Sequence, residues 1–193
     1  PFNVEIVPGG SGFSEIINLD NHQREQLISR LSYLEEKGDI LLIDCAAGLS
    51  RDILSFITAA DELVVVTTPE PTAITDVYSI IKIVNNYRLK SCVNLVVNMA
   101  HSLKEAENVF WRLDKVCRNF LDIRIGFLGA IEYDLHVHKA VLNCSPYILK
   151  YPHSRVAQCT RDIAMRLLSG EEGFSSVQKR EEGFLRRLLR LWR

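Results

Sequence analysis

The sequence predicts an α/β fold, in which helices flank a doubly wound, mostly parallel sheet, followed by a C-terminal amphipathic helix. Three observations support this prediction. Short apolar runs recur along the chain, segments with helical spacing separate them, and the last eleven residues combine arginines with large apolar side chains. Runs that are apolar throughout, without alternation, are typical of strands buried on both faces of a parallel sheet.

Five of these runs, each rich in Val, Ile and Leu, are predicted to be strands. They are residues 4–7, 40–43, 63–67, 93–97 and 123–128. Between them, apolar side chains recur every three or four residues, which predicts crossover helices. The predicted helices span residues 23–36, 72–87 and 103–119. Alternation of strands with helices predicts helices on both faces of the sheet.

Composition narrows the class of protein. A chain of 193 residues, 47% of them apolar, suits one domain or one domain with an appendage. The net charge of -1 argues against nucleic-acid binding through bulk positive charge, and we expect no nucleic-acid partner. Lys179 to Arg193 nevertheless hold six basic and two acidic residues, which leaves 17 basic and 22 acidic residues elsewhere. An acidic body with a basic tail indicates that the tail meets a partner surface.

Cysteine usage and hydropathy address the cellular compartment. The five cysteines are an odd number, and no two of them form a C-x-x-C pair. A disulfide framework or a zinc site is therefore not expected, and a reducing cytoplasm is favoured. No run approaches the roughly 18 apolar residues of a membrane span.

Candidate site residues follow the predicted strands, because ligands of such sheets bind beyond the carboxyl ends of the strands. The strand at 40–43 ends in Asp44, with Gly48 four residues later. In nucleotide hydrolases a carboxylate at this place holds Mg²⁺, since a hard cation prefers oxygen ligands. The alternative is that Asp44 caps the helix that begins near Ser50.

The later strand ends carry further polar residues. The third predicted strand runs into Thr-Thr-Pro-Glu-Pro-Thr at residues 67–72, where two prolines end the ladder. The fourth ends at Asn98, whose amide can read a base edge by donating and accepting together, or can simply be a turn residue. The fifth leads to Glu132, Tyr133 and Asp134.

In order and spacing, roughly residues 4 to 168 resemble the MinD/ParA class of deviant P-loop ATPases. Residues 38–49 resemble its switch II segment, and Val96-Val97-Asn98-Met99 resembles its adenine-side motif. The block from Gly129 to Asp134, with Ala140 and Ser145-Pro146-Tyr147, resembles a late motif of the class. The Pro-Gly-Gly-Ser-Gly-Phe run at 8–13 and the Thr-Thr-Pro-Glu-Pro-Thr run are most similar to the flagellar-number branch, called FlhG, FleN or YlxH.

The resemblance implies ATP and Mg²⁺ as cofactors. It makes Asp44 the switch II aspartate near Mg²⁺, acting through water, and places Gly48 near the γ-phosphate. Asn98 would contact adenine. The other implied nucleotide-binding residues are Pro69, Glu70, Glu132, Tyr133 and Asp134. Glu132 stands where family members usually have proline.

One family motif does not occur in these 193 residues. ATP hydrolysis requires a glycine-rich loop whose N–H groups and lysine cradle the phosphates. The sequence has no G-x-x-x-x-G-K-[ST], and the glycines at residues 9–12 are not followed by Lys-Thr. We therefore expect this loop upstream of Pro1 in a longer ATPase, and no hydrolysis by this chain alone. The alternative is a degenerate, non-hydrolysing scaffold recruited to a membrane.

The tail predicts membrane attachment. At helical spacing, one face collects Phe184, Leu185, Leu188, Leu189 and Trp192, and the other collects Arg186, Arg187, Arg190 and Arg193. Such a helix lies in a membrane interface, and its arginines favour anionic lipid. The alternative is a C-terminal helix packed on the body. The predicted division is an ATPase domain at 1–168, a linker at 169–182 and this helix at 183–193.

The resemblance also implies a biological role. It implies a cytosolic monomer that becomes an ATP-bound homodimer, peripheral on the inner face of the cytoplasmic membrane. Flagellar number and placement would be regulated, with an FlhF-type GTPase and flagellar switch-ring proteins as partners. A role in cell division or partition, as in other MinD and ParA proteins, is the alternative.

Overall fold

A computed structural model describes residues 4–6, 38–45, 48, 50–169 and 183–191 of the chain. These residues fall into two compact units, one of residues 1–59 with 181–193 and one of residues 60–180. In chain order the described elements are α1 (Arg51–Ala59), β1 (Val64–Thr67), α2 (Pro71–Asn86), β2 (Cys92–Ala100), α3 (Leu103–Phe120), β3 (Arg124–Glu132), α4 (Leu135–Leu142), α5 (Tyr147–Lys150), α6 (Arg155–Ser169) and α7 (Phe184–Leu191). The first unit holds α1 and α7, and the second holds the rest.

The sheet of the second unit is parallel throughout its described strands, in the order β1-β2-β3. Val64 pairs with Asn94, and Cys92 pairs with Arg124. The β2–β3 register shifts at two places, between Leu95 and Val96 and between Asn98 and Ala100. A parallel sheet flanked by helices is the predicted fold class, and the strands predicted at 63–67, 93–97 and 123–128 are confirmed, although the last two extend to Ala100 and Glu132.

The core lies on both faces of β2, as its continuous apolar sequence predicts. On one face of this strand Val93, Leu95 and Val97 are fully buried, and on the other face Asn94 and Val96 are only 1% and 3% exposed. From α2 the buried residues are Val77, Ile81 and Val84. From α3 they are Ala106, Val109, Phe110, Leu113, Asp114 and Cys117.

Local sequence signals set the helix starts. Pro71 occupies the first turn of α2, where its missing N–H costs nothing. Ser102 caps α3: its Oγ accepts from the Glu105 N–H at 3.2 Å, and the Glu105 carboxylate accepts from the His101 N–H at 2.7 Å. The helices predicted at 72–87 and 103–119 are thereby confirmed to within one residue at each end.

Close packing of α6 on β3 depends on Gly129. This residue has φ +155°, and a Cβ built on it would lie 2.7 Å from Cγ1 of Ile163. Both the backbone conformation and the space therefore favour glycine at this point. Helix α6 was not predicted from the sequence, although Ser154 Oγ accepts from the Ala157 N–H at its start, in the manner of a helix cap.

The predicted strands at 4–7 and 40–43 are wrong for the described residues. Neither residues 4–6 nor residues 38–45 form a strand, and Leu42 is 84% exposed. The physical reason is that a buried strand needs hydrogen-bonded neighbours, and no described residue pairs with this segment. Val7, the predicted helix at 23–36 and the glycine run at 9–12 lie outside the described residues.

Helices α1 and α7 pack on each other within the first unit. Leu185 and Leu188 are buried, whereas Arg186 and Arg190 are exposed. Arg187, which was expected on the exposed arginine face, is only 9% exposed, and its Nε donates to the Ala59 carbonyl at 2.8 Å. The contact with α1 therefore buries Arg187, which was predicted to lie on the exposed arginine face of the helix.

Several residues of the predicted linker and tail helix fall outside the part of the chain that the structure describes. Trp192, Arg193, the side chain of Leu189 and residues 170–182 lie outside the described part. The division at 168 and 182 stays a prediction. Within the described ranges, no helix is both long enough and apolar enough to cross a membrane.

Candidate functional site

The three parallel strands bring their carboxyl ends to one edge of the sheet. Residues 68–70 follow β1, residues 98–100 end β2 and are followed by His101, and Glu132 ends β3 and is followed by Tyr133 and Asp134. The Tyr133 N–H donates to the Ala100 carbonyl at 2.9 Å, which extends the β2–β3 pairing to this edge. The predicted base-site residues of the second unit therefore lie on neighbouring strand ends, where ligands of such sheets bind.

Asn98 is held in one orientation at the centre of this edge. Its Oδ1 accepts from the Met99 N–H at 2.9 Å, and Met99 has a left-handed φ of 58°. The register shift between Asn98 and Ala100 accompanies this turn of the backbone. A side-chain amide fixed through its oxygen still has two N–H donors to offer a ligand.

Thr68, at the end of β1, carries an orphaned polar atom. Its Oγ1 is buried and has no hydrogen-bond partner among the described residues. An unsatisfied buried hydroxyl costs about 1–3 kcal/mol, so such an atom usually marks a missing partner. The Thr68 hydroxyl could therefore hydrogen-bond a polar group of a ligand at this edge of the sheet. Thr68 was not predicted as a site residue, since no sequence motif distinguishes a buried threonine from an exposed one.

Asp134 is used to cap α4. Its Oδ1 accepts from the His136 N–H at 2.9 Å and lies 2.7 Å from Nδ1 of the same residue, and its Oδ2 lies 3.5 Å from the Val156 nitrogen. The backbone N–H of His136 is the main reason that the pKa of Asp134 is lowered from its ordinary value. Asp134 thus joins the loop after β3 to the starts of α4 and α6.

Glu132 makes a second contact between this loop and α6. Its Oε1 accepts from Nη2 and Nε of Arg155, at 2.9 and 3.1 Å. This hydrogen bond and the carboxylate charge raise the pKa of Arg155. Glu132 and Asp134 are both engaged, whereas Tyr133 is 58% exposed and has its ring centroid 6.3 Å from that of His101. Arg155 was missed because its partner is 23 residues away.

The turn after β1 supplies the other predicted residues of this edge. Pro69 is half-buried and borders an open groove beside α3. Glu70 is exposed and occupies the N-cap position of α2 without a side-chain cap bond. The predicted nucleotide contacts of Pro69 and Glu70 stay predictions.

Asp44 and Gly48 belong to the other unit, so their predicted roles stay predictions. Asp44 is exposed, and Gly48 has φ +118°. Partial burial and the neighbouring Asp44 charge raise the pKa of the exposed Cys45 thiol, which lowers its thiolate fraction. Among the described residues there is no group of three or more His, Cys, Asp or Glu side chains that could hold a metal ion.

Comparison with known proteins identifies the family. The family model ParA, described as an NUBPL iron-transfer P-loop NTPase, matches residues 20–168. The chain belongs to the ParA family. This ParA-family chain is 35% identical over 167 residues to the antiactivator FleN of Pseudomonas aeruginosa, which covers 86% of the chain and 60% of FleN. It is 31% identical over 189 residues to the flagellum site-determining protein YlxH of Helicobacter pylori, which covers 96% of the chain and 63% of YlxH.

Solved structures support the same fold. The MinD cell division protein of Aquifex aeolicus superposes with a TM-score of 0.59 at 16% identity, covering 78% of this ParA-family chain and 61% of MinD. The resemblance to the MinD/ParA class, and to its flagellar branch, is thereby confirmed. The chain spans about three-fifths of the length of FleN and YlxH.

Proposed function

We propose that this chain acts in an ATP-dependent regulator of flagellar number and placement. The observation that carries the proposal is its 35% identity to FleN over 86% of the chain. The regulator cycles between a cytosolic monomer and an ATP-bound homodimer on the inner face of the cytoplasmic membrane. Its partners are an FlhF-type GTPase and flagellar switch-ring proteins.

The carboxyl edge of the sheet suits the base of the nucleotide. Asn98 has donors to offer, the Thr68 hydroxyl lacks a partner among the described residues, and Tyr133 presents an exposed ring. Glu132 and Asp134 position Tyr133 by holding its loop to α6. ATP would supply the phosphoanhydride bond, and, as the resemblance to the family implies, Asp44 would hold Mg²⁺ and Gly48 would serve the γ-phosphate.

Nucleotide titration of the full-length gene product tests this assignment. We expect Asn98→Ala to weaken ATP binding about fivefold, since one net hydrogen bond contributes about 1 kcal/mol. Asn86→Ala, an exposed amide at the end of α2, is the matched control and should bind ATP like the parent. Equal affinity of the parent and Asn98→Ala would reject the base-site assignment.

Membrane binding is tested with vesicles. Deletion of residues 183–193 should abolish sedimentation with vesicles rich in phosphatidylglycerol, and pure phosphatidylcholine vesicles should bind poorly. Because Leu185 and Leu188 are buried in the packed helix pair, lipid can reach them only after α7 leaves α1. Unchanged sedimentation of the deletion variant would reject the membrane role of α7.

Cell phenotypes separate the flagellar role from its alternatives. Deletion of the gene should change the number of flagella per cell, counted by electron microscopy, with normal division. Minicells with normal flagella would favour a septum-placing role like that of MinD. A full-length Asp44→Asn protein that restores flagellar number without hydrolysing ATP would favour the scaffold.

A further inference from the structure

Two exposed rings lie side by side at the carboxyl edge of the sheet. The Tyr133 N–H donates to the Ala100 carbonyl at 2.9 Å, which brings His101, the residue after β2, next to Tyr133, the residue after β3. The centroids of the two rings are 6.3 Å apart, and the ring planes are tilted by 46°. His101 is exposed, and Tyr133 is 58% exposed. We call these two side chains the edge ring pair.

The backbone that carries the pair is held by hydrogen bonds that use neither ring. The His101 N–H donates to the Glu105 carboxylate at 2.7 Å, where α3 begins. On the other strand end, the contacts of Glu132 with α6 and of Asp134 with α4 hold the chain on both sides of Tyr133. The positions of both rings are thus set by contacts that leave the rings themselves unused, which preorganises them for a ligand.

An aromatic pair in the core shows the contrast. The rings of Phe110 in α3 and Phe127 in β3 have their centroids 5.3 Å apart, and Phe110 is only 8% exposed. The edge ring pair has a similar spacing but stays open to water. Covering exposed aromatic surface is favourable, and a flat aromatic ligand covers it well because its π system can stack on a ring.

Asn98, three residues before His101, supplies the complementary part of a base site. Its Oδ1 accepts from the Met99 N–H, so its two amide donors can meet the polar edge of a base. Proteins that bind unstacked bases combine hydrogen bonds to the base edge with stacking of the base on aromatic side chains. The end of β2 therefore carries both an edge-reading amide and a ring, and Tyr133 adds a second ring from the neighbouring strand.

We propose that His101 is a further base-binding residue and that the edge ring pair is the stacking surface for the adenine of ATP. This inference rests on the proposed nucleotide binding at this edge, and it adds a residue for which the sequence predicted no role. Stacking does not distinguish adenine from guanine, since every base has a π face. The edge ring pair therefore contributes affinity, whereas Asn98 reads the edge of the base.

Calorimetric titration of the full-length gene product with ATP and Mg²⁺ tests the pair. His101→Ala and, separately, Tyr133→Ala should each weaken ATP binding at least about fivefold, as expected for the loss of one stacked ring. His101→Phe keeps a ring and should bind ATP within about twofold of the parent, whereas His101→Gln keeps a polar group without a ring and should behave like His101→Ala. His138→Ala removes an exposed imidazole on α4 and should bind ATP like the parent.

Inorganic tripolyphosphate, which has a phosphate chain but no base, separates stacking from a structural effect. The parent and His101→Ala should bind it equally, and they should have the same unfolding temperature without ligand. A loss of tripolyphosphate binding or a lower unfolding temperature in His101→Ala, with no rescue by His101→Phe, would overturn the proposal. It is also overturned by equal ATP affinity of the parent and His101→Ala, or by a His101→Gln variant that binds ATP better than His101→Phe.

Asn98→Ala distinguishes failure of this inference from failure of the proposed function. If Asn98→Ala weakens ATP binding and the ring variants do not, only the stacking role of the edge ring pair is overturned. If the parent does not bind ATP, the base site and the edge ring pair are overturned together.

Discussion

Two apolar runs of the chain, similar in composition, have opposite structural outcomes. Strand β2 is buried almost throughout, with Leu95 fully inaccessible, whereas Leu42 in the run 40–43 is 84% exposed. The difference lies in their neighbours: β1 and β3 pair with both edges of β2, and no described strand pairs with residues 38–45. Apolar composition supplies the tendency to be buried, but hydrogen-bonded neighbours decide whether a strand forms.

The largest effect is expected from truncating one leucine in each of these two apolar runs. Leu95→Ala should lower the free energy of unfolding by about 2–5 kcal/mol, because it opens a cavity in the core. Leu42→Ala should change it by less than about 0.5 kcal/mol. Urea denaturation followed by circular dichroism measures both. Similar losses for the two variants would mean that residues 40–43 are buried in solution.

A second test concerns the packing of α6 on β3. Gly129→Ala should cost about 1–3 kcal/mol, because the added methyl would meet Ile163 and the backbone has φ +155°. Ile163→Ala, which removes Cγ1 and Cδ1, combined with Gly129→Ala should cost less than the sum of the two single substitutions, which a double-mutant cycle in urea would measure. Additive costs would indicate that backbone strain alone, and no contact with Ile163, penalises alanine.

The third test moves to the other unit and its buried arginine. Arg187→Ala should destabilise the α1–α7 contact by about 1.5 kcal/mol, since a charged donor to the Ala59 carbonyl is lost. The neighbouring exposed Arg186→Ala should have little effect. Hydrogen exchange of the α1 amides reports the difference. Equal exchange in the two variants would exclude a stabilising role for the Arg187 contact.

The smallest expected effect is at the cap of α4. Asp134→Ala should cost about 1 kcal/mol near neutral pH, whereas Asp134→Asn retains an N-cap and should cost less. The pKa of Asp134 is lowered by folding, so its charge stabilises the fold above the ordinary value of 3.8 and loses this effect as pH falls below it. Thermal unfolding between pH 7 and pH 3 should therefore bring Asp134→Asn and the parent together at the acid end. A constant gap would contradict the charge assignment.

Much of the second unit could be predicted from the sequence because its signals are local. Continuous apolar runs gave the three strands, helical spacing gave α2 and α3, and strand ends located Asn98 and Tyr133. Pro71 and the Ser102 cap are local signals that set the starts of α2 and α3, respectively.

The remaining features depend on partners that are distant in sequence. Glu132 meets Arg155, 23 residues later, and Arg187 meets Ala59 across 128 residues. Helical periodicity placed Arg187 among exposed arginines, but it cannot tell which side of a short helix another helix will cover. The same limit applies to Leu42, whose apolar run predicts burial without identifying a neighbouring strand.

The register of the sheet also affects how fast this fold can form. Val64 pairs with Asn94 and Cys92 pairs with Arg124, so each described strand pairing closes a loop of about thirty residues that contains an entire helix. The entropy of closing such loops is lost before any strand pairing stabilises the chain. Helices α2 and α3 are held by local hydrogen bonds. Each strand pairing of β2, in contrast, requires one of these helix-containing loops to close. Refolding of this unit should therefore be slower than that of a helical bundle of the same length.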